Sequence, residues 1–244
     1  MPVFGSLDIH DDARHAIANG IFTAITNDIP EILHEHNLPT SNGASLFRWN
    51  FINRNVSVNL GGQYQTSYIT RGPWKFLLLF EQTLGFTFSI MTEKNFARLQ
   101  KRLPHGIHYL EALTSKNTGY DIVEGQMKLD FDEPKRDPTA VEQLRDQLLN
   151  NVAGIVKNHI LILFDYDFSR VVSARAVLPT PDFEIAYSED WSNFLNKHYV
   201  INKTSIIKEM IADDAEPLVK LKPEKQERVA DDIVSLPVEL EAVN

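Results

Sequence analysis

The sequence predicts an α+β fold: a largely antiparallel sheet built from two β-hairpin-plus-helix units, with flanking helices. The first hairpin is indicated by an apolar run at residues 74–80 and by Phe86, Phe88 and Ile90, which alternate with polar residues. Such alternation is typical of a strand with one buried face. Residues 159–179 repeat the order of an apolar strand, a polar turn and an alternating strand. The two hairpins together supply most of the predicted sheet.

The N-terminal part of the chain predicts a helix followed by a mixed segment. Five isoleucines recur at helical spacing: Ile17, Ile21, Ile25, Ile29 and Ile32. Asp11 or Asp12 can accept from the open amides of the first turn and so cap this helix. Residues 45–60 mix aromatic and basic residues in their first half, and their second half alternates like a strand. We therefore expect a strand in the second half of this segment.

Capping residues mark the helices that accompany the hairpins. Thr92 is suited to cap a helix after the first hairpin, and Ser188 is suited to cap one after the second. Between the hairpins, Thr139 and Glu142 match the S/T-x-x-E capping box, in which two residues satisfy open amides reciprocally. The apolar spacing after this box predicts a helix that continues to about Lys157.

Composition divides the chain into one large domain and a tail. Residues 1–212 carry the predicted helices and strands, and two prolines within residues 130–138 indicate a loop or arm inside this domain. Residues 213–244 hold nine acids and four bases and lack large aromatic side chains. A charged segment with so few large apolar groups buries too little surface to fold stably. We therefore expect a single α+β domain followed by an acidic, flexible C-terminal tail.

The lack of cysteine and of long apolar runs limits the class of protein. Without cysteine the chain has no disulfide and no thiolate metal ligand. The longest apolar runs, residues 76–80 and 160–164, fall far short of the about 20 residues that a membrane-spanning helix needs. The N-terminus carries acids where a secretory signal carries bases. These features predict a soluble cytoplasmic protein without a membrane partner.

Charge is distributed unevenly along the chain. The net charge is −9, yet residues 45–118 hold nine bases and three acids. Acidic segments lie on both sides: residues 1–44 hold six acids and one base, and residues 119–244 hold 24 acids and fourteen bases. A basic segment between acidic flanks attracts phosphate groups or an acidic protein surface. Solvated helix faces are the alternative explanation.

Cationic and aromatic side chains are interleaved within the basic segment. Six of them form the candidate binding region: Arg48, Trp49, Arg54, Arg71, Trp74 and Lys75. The cations can pair with phosphates, and the rings can stack on unpaired bases. The alternative is that Trp49 and Trp74 belong to the core, with arginines lying over them in cation–π contacts. The first interpretation predicts contact with nucleic acid or with an acidic protein.

A pair of aspartates supports a different hypothesis. Asp165 and Asp167 lie two residues apart where an apolar strand ends, so a regular strand places them on the same side. Two such carboxylates can hold Mg²⁺, which prefers hard oxygen ligands. A metal-dependent nuclease or phosphodiesterase is therefore the enzymatic alternative. Aspartates also favour turns, and the sequence has no phosphate-binding loop, dinucleotide-binding or serine-hydrolase motif.

Four short motifs resemble those of a known family. They are RWN at residues 48–50, RGPWKFLLLF at residues 71–80, MTEKNFARLQ at residues 91–100 and YSEDWSNFL at residues 187–195. In these motifs the chain is similar to an uncharacterised family of small soluble proteins from Gram-positive bacteria and their mobile elements. The resemblance spans about residues 45–195. It implies a bacterial origin and implies neither an activity nor catalytic residues.

We therefore expect a non-catalytic binding or regulatory protein that uses the candidate binding region and needs no cofactor. One alternative is the Mg²⁺-dependent enzyme. The other is an acidic mimic, in which residues 119–244 occupy the nucleic-acid site of another protein. The exposure of Trp49 and Trp74, and the convergence of the cations, distinguish a binding region from a purely structural one.

Overall fold

A six-stranded sheet with helices on both faces is the framework of the computed structural model, which describes residues 7–37, 40, 42–101, 106–120 and 137–195. The strands are β1 Gln65–Arg71, β2 Trp74–Glu81, β3 Phe86–Thr92, β4 Asn158–Asp167, β5 Arg170–Pro179 and β6 Ile185–Asp190. The helices are α1 Asp11–Thr23, α2 Ile29–Glu35, α3 Ala44–Leu60, α4 Glu93–Lys101, α5 Tyr109–Thr114 and α6 Pro138–Leu148. In this described part of the chain, no helix is long and apolar enough to cross a membrane. The predicted tail at residues 213–244 and most of the predicted loop at residues 130–138 lie outside the described residues.

The strands lie in the sheet in chain order, so each one pairs with its sequence neighbours. Every neighbouring pair in the described sheet is antiparallel except β3 and β4, which run parallel. Parallel strands require a long crossover, and the connection between β3 and β4 contains α4, α5 and α6. The α+β class and the largely antiparallel sheet predicted from the sequence are confirmed.

Side chains of β3 alternate between two buried faces. Phe88 and Ile90 belong to a core cluster shared with α1 and α3, whereas Met91 belongs to a second cluster with residues of α4 and α5. A third cluster joins Leu78 of β2 to Leu148 of α6. The sheet therefore lies between one helical layer that contains α1 and α3 and another that contains α4, α5 and α6.

Helices α1 and α3 approach each other closely at a glycine. A Cβ atom on Gly20 would lie 2.7 Å from Cγ2 of Val56 and 2.9 Å from its backbone nitrogen. Real Cβ atoms do not come this close, so the two helices can make this contact only because residue 20 has no side chain. Ile17 and Ile52 are fully buried in the same core cluster. A helix-interior glycine costs about 1 kcal/mol relative to alanine, and here it permits the approach of α3 to α1.

Residues 45–60 lie within helix α3, so the predicted strand in the second half of this segment is wrong. Ile52, Val56 and Leu60 are buried and recur every four residues, which is the spacing of one helix face. Val58, which completed the strand-like alternation, is half-buried. Burial against α1 thus outweighs the weak helix propensity of β-branched side chains.

The first hairpin-plus-helix unit forms as predicted. The turn between β2 and β3 contains Gly85 at a φ of +73°, and a Cβ atom there would lie 2.8 Å from the carbonyl oxygen of Ile155. Thr92 then caps α4, because its Oγ1 accepts from the backbone nitrogen of Asn95 at 3.2 Å. Phe96 is buried on the inner face of this helix.

The second hairpin, β4 with β5, is also present, but strand β6 follows it where a helix was predicted. Ser188 lies within β6, and its Oγ accepts from the Arg175 guanidinium at 3.3 Å. It therefore stabilises a neighbouring strand and does not cap a helix. After β6, the described chain forms a short 3₁₀ turn at Ser192–Phe194.

Helix α6 is shorter than predicted and has a different cap. Asp137 accepts from the backbone nitrogen of Thr139 at 3.0 Å, so the predicted capping box beginning at Thr139 is wrong. Pro138 occupies the first turn, where its missing amide hydrogen costs nothing. The helix ends at Leu148, well before Lys157.

Candidate functional site

The sheet opens between β2 and β3. Their ladder contains three residue pairs and ends at Leu79 and Phe88. By contrast, β3 stays paired with β4 as far as Thr92, and β1 stays paired with β2 as far as Arg71 and Trp74. The outer half of the β1–β2 hairpin therefore separates from the C-terminal half of β3.

A cavity of about 450 Å³ lies at this opening, and we call it the central cleft. Trp74 and Phe76 of β2 line it, together with the buried side chains of Ile90 and Met91 of β3 and with Trp49 of α3. It lies towards the carboxyl end of β3, the strand that runs parallel to β4. Its volume is within the range of about 300–1,000 Å³ that is typical of small-molecule sites.

Three cations line the central cleft: Arg71, Lys75 and Arg98. No carboxylate occurs among its described lining residues, and none of the three cations forms an ion pair in the described part of the chain. Arg98 donates to Oδ1 of Asn95 at 3.3 Å. The cleft therefore carries positive charge that no described acidic side chain neutralises.

Aromatic rings form a wall beside Arg71. The ring centroid of Tyr109 lies 4.6 Å from that of Phe76 and 4.5 Å from that of His108. Burial raises the pKa of Tyr109 to about 12, although the nearby Arg71 guanidinium acts in the opposite direction. The phenol is therefore neutral at pH 7 and presents a hydroxyl group.

His108 begins helix α5 and is neutral at pH 7. Its Nδ1 accepts from the backbone nitrogen of Leu110 at 3.2 Å, and the Glu111 carboxylate accepts from the His108 backbone nitrogen at 3.3 Å. Burial first, and then the charge of Arg71, lower the pKa of His108 to about 4. Because Nδ1 acts as an acceptor in the neutral ring, the ring hydrogen is on Nε2.

Two further cavities adjoin the central cleft. One of about 520 Å³, the outer cavity, shares Trp49, Trp74 and Lys75 with it and also contacts Arg54. The other, of about 390 Å³, shares Arg71 and extends along α6; we call it the α6 cavity. Neither has a carboxylate among its described lining residues. We refer to the three cavities together as the groove.

The structure brings the two tryptophans of the candidate binding region to the groove. Trp74 is 53% exposed, and within the described residues no hydrogen bond or ring contact holds its indole. Trp49 is half-buried, with its ring centroid 5.9 Å from that of Phe164. Trp74 is therefore a surface residue, whereas Trp49 joins the groove to the core.

The cations of the candidate binding region divide into two sets. Arg54, Arg71 and Lys75 line the groove, whereas Arg48 is not among its lining residues. Instead, Arg48 donates to the Tyr166 hydroxyl at 2.7 Å and lies 4.1 Å from the centroid of its ring. Arg48 therefore forms a cation–π contact with a tyrosine, and the described residues place no cation over Trp49 or Trp74.

The two aspartates of the metal hypothesis are exposed at the end of β4. The ladder with β5 shifts register between Asp165 and Tyr166, which interrupts the regular alternation that would place Asp165 and Asp167 side by side. Oδ1 of Asp165 accepts from the backbone nitrogen of Tyr166 at 2.9 Å. The described part of the chain contains no group of three or more His, Cys, Asp or Glu side chains placed to hold a metal. The Mg²⁺ hypothesis stays a prediction.

Sequence reasoning missed the residues that α4 and α5 contribute to the central cleft, namely Asn95, Arg98, His108 and Tyr109. Arg98 belongs to the basic segment at residues 45–118, and this excess of charge was the available signal. His108 and Tyr109 reach the cleft through the crossover between β3 and β4. No short sequence motif predicts such a crossover.

The model of a family of unknown function, DUF5986, matches residues 6–236. The chain belongs to this family. The comparison with curated proteins and the comparison with solved structures found no match. Membership of DUF5986 confirms the resemblance to an uncharacterised family and extends it on both sides of residues 45–195. Because DUF5986 is described as a family of unknown function, the geometry of the groove is the basis for a functional conclusion.

Proposed function

We propose that the chain is a non-catalytic protein that binds single-stranded nucleic acid along the groove. The composition of the groove is the observation that carries this proposal. Four cations line it: Arg54, which forms an ion pair with Asp28 at 3.1 Å, and Arg71, Lys75 and Arg98, which form none among the described residues. The described lining residues of the groove include no carboxylate. Such a surface attracts a phosphate backbone, and the adjacent rings can stack on bases of any sequence.

The exposure of Trp74 supports a single strand over a duplex. Its indole is 53% exposed beside Lys75, so it can be reached by an unpaired base while the cation contacts the backbone. In a duplex the bases are already stacked on one another, and their faces are not accessible to a side chain. The interleaving of rings and cations along the groove therefore fits an unpaired strand.

Fluorescence anisotropy with a labelled oligothymidylate of about twelve nucleotides tests the proposal. We expect binding that weakens as salt rises, with a slope of log K against log salt of about −0.7 for each phosphate contact. Arg71→Ala and Lys75→Ala should each weaken binding and reduce the slope by about 0.7. Lys157→Ala is the matched control, because Lys157 is an exposed cation that precedes β4 at the opposite end of the sheet.

An acidic protein is the competing partner for the same cations. Oligoglutamate of matched length separates the two, because it offers carboxylates without bases to stack on Trp74. Binding of oligoglutamate without binding of the oligonucleotide would replace the proposal with an acidic protein partner. No salt-dependent binding of either ligand would remove a binding role for the groove.

The biological setting is part of the same proposal. We infer a regulatory role in the cytoplasm of Gram-positive bacteria or on their mobile elements, as the four motifs at residues 48–50, 71–80, 91–100 and 187–195 imply. A protein that coats or sequesters single strands fits such a setting without requiring a cofactor or a catalytic step.

A further inference from the structure

The central cleft offers mainly hydrogen-bond donors to a ligand. Arg71, Lys75 and Arg98 carry donors and no acceptor. The indole nitrogens of Trp49 and Trp74 are likewise donors. A ligand that satisfies this lining must therefore supply acceptors.

The remaining polar groups of the cleft strengthen this asymmetry. The bond from Arg98 occupies one of the two lone pairs of Asn95 Oδ1, whereas the amide nitrogen of Asn95 offers two donors. Nδ1 of His108 already accepts from the backbone nitrogen of Leu110, which leaves Nε2–H as a donor. Among the described lining side chains, the remaining acceptors are the second lone pair of Asn95 Oδ1, the Tyr109 hydroxyl and the weakly accepting Met91 sulfur, so donors outnumber acceptors.

We propose that the central cleft binds the phosphomonoester of a nucleotide, either at the phosphorylated end of a single strand or on a free nucleotide. At pH 7 a phosphomonoester carries a charge of about −1.5 to −2 and three strong acceptor oxygens. An internal phosphodiester carries a single charge and two unesterified oxygens, so it satisfies fewer of the donors. The strand-end form of this inference rests on the proposed function.

The cleft also has a place for the rest of a nucleotide. Its volume of about 450 Å³ suits a ligand of this size. The rings of Trp74 and Phe76 lie on the β2 side of the cleft, where a nucleobase can stack. The buried side chains of Ile90 and Met91 form an apolar floor. Arg98, held by Asn95, lies on α4 across from β2 and can engage the phosphate.

Three forms of one oligothymidylate test the inference: 5′-phosphorylated, 3′-phosphorylated and without a terminal phosphate. We expect a phosphorylated form to bind about tenfold more tightly than the unphosphorylated one, because charge-assisted hydrogen bonds to the added oxygens are formed only there. Arg98→Ala should abolish this difference, because Arg98 lines the central cleft and neither of the other two cavities. Lys157→Ala is the matched control and should leave this difference and all three affinities unchanged, because Lys157 lies at the opposite end of the sheet.

Free nucleotides distinguish the two sources of the phosphomonoester. Thymidine monophosphate should displace the phosphorylated strand and raise the unfolding midpoint, whereas thymidine should do neither. Equal binding of the three oligonucleotides, with no effect of thymidine monophosphate, would overturn this inference and leave the proposed function intact. Binding of thymidine monophosphate without binding of any oligonucleotide would remove the proposed function and assign the cleft to a free nucleotide. Absence of binding by every ligand would overturn both.

Discussion

The guanidinium carbon of Arg71 lies 5.0 Å from the centroid of the Tyr109 ring. This contact places one cation at the junction of the central cleft and the α6 cavity, both of which Arg71 lines. The same charge acts on the neighbouring imidazole of His108 and lowers its pKa. Arg71 therefore contributes positive charge to the groove and also lowers the pKa of His108, which lines it.

Removing the charge of Arg71 should raise the pKa of His108. The pKa is about 4 in the folded protein, with burial as the larger cause and Arg71 as the second, so Arg71→Ala should raise it without restoring the ordinary value. NMR titration of the imidazole Cε1–H signal measures the change. Arg71→Lys retains the charge and should leave the pKa low. A pKa that is the same in Arg71→Ala and in the wild type would show that the charge does not reach the imidazole.

Trp74→Ala should separate binding from stability. Because the indole is 53% exposed, its loss should change the free energy of unfolding by well under the about 3–5 kcal/mol that truncation of a buried tryptophan costs. Single-strand affinity should fall by about 1–3 kcal/mol if the ring stacks on a base. Urea denaturation and anisotropy measure the two quantities. Trp191→Ala, at a fully buried tryptophan, is the contrasting variant and should be strongly destabilised.

The protein should lose stability as the pH falls below about 6.5, because two buried histidines are neutral in the folded state. His159 is fully buried, with Nδ1 2.9 Å from Oγ1 of Thr87 and Nε2 2.9 Å from Oγ of Ser89. Burial lowers the pKa of His159 to about 3, and that of His108 is about 4.

The sign follows from proton binding. Between the folded and unfolded pKa values the unfolded chain binds more protons, so acid favours unfolding by about 1.4 kcal/mol per pH unit for each histidine. Urea denaturation between pH 7 and about pH 4.5 measures this slope. His159→Gln removes one titrating group and should give a shallower slope than the wild type. Equal slopes would mean that His159 does not cause the loss.

Gly20→Ala should destabilise the protein although alanine is the better helix former. The added Cβ would meet Val56 at 2.7 Å, and one of its contacts is the Val56 backbone, which cannot rotate away. Overpacking costs about 1–3 kcal/mol, and because the Val56 backbone cannot move aside we expect a cost near the upper end, above the gain of about 1 kcal/mol in helix propensity. Gly62→Ala is the control, since a Cβ there meets nothing within 4 Å. Thermal unfolding of the two variants should therefore differ, and equal midpoints would contradict the close contact.

Sequence patterns predicted those elements that a few neighbouring residues determine. The first hairpin, which turns at Gly85, and the cap at Thr92 each depend on residues that are close in sequence, and both are present. Strand β1 has no comparable local signal, because Ile69 is its one buried residue and the usual alternation is missing. The second half of strand β6 is polar, and Ser188 within it contacts Arg175 from the neighbouring strand. Contacts between strands, which a local pattern does not contain, decide such elements.

The residue types of the candidate site could be predicted, but their full arrangement could not. Arg71, Trp74 and Lys75 are close in sequence at one hairpin end, so their proximity follows from the hairpin alone. Arg98 and Tyr109 join them because the long crossover between β3 and β4 returns over the sheet. The positions of Arg98 and Tyr109 relative to the hairpin depend on how whole helices pack against the sheet. The sequence pattern does not contain this information.

The short ladder between β2 and β3 has a consequence for hydrogen exchange. Because three residue pairs join β2 to β3, the exposed outer half of the β1–β2 hairpin, residues 70–75, can open as a separate cooperative unit while the buried half of β2 stays packed in the core. Its amides, those of Thr70 and Lys75 for example, should then exchange sooner than those of Ile162 in the doubly flanked strand β4. A ligand bridging Lys75 and Arg98 would tie this unit to α4 and slow its exchange. Occupancy of the cleft would thereby change the exchange rates of backbone amides at the exposed end of this hairpin.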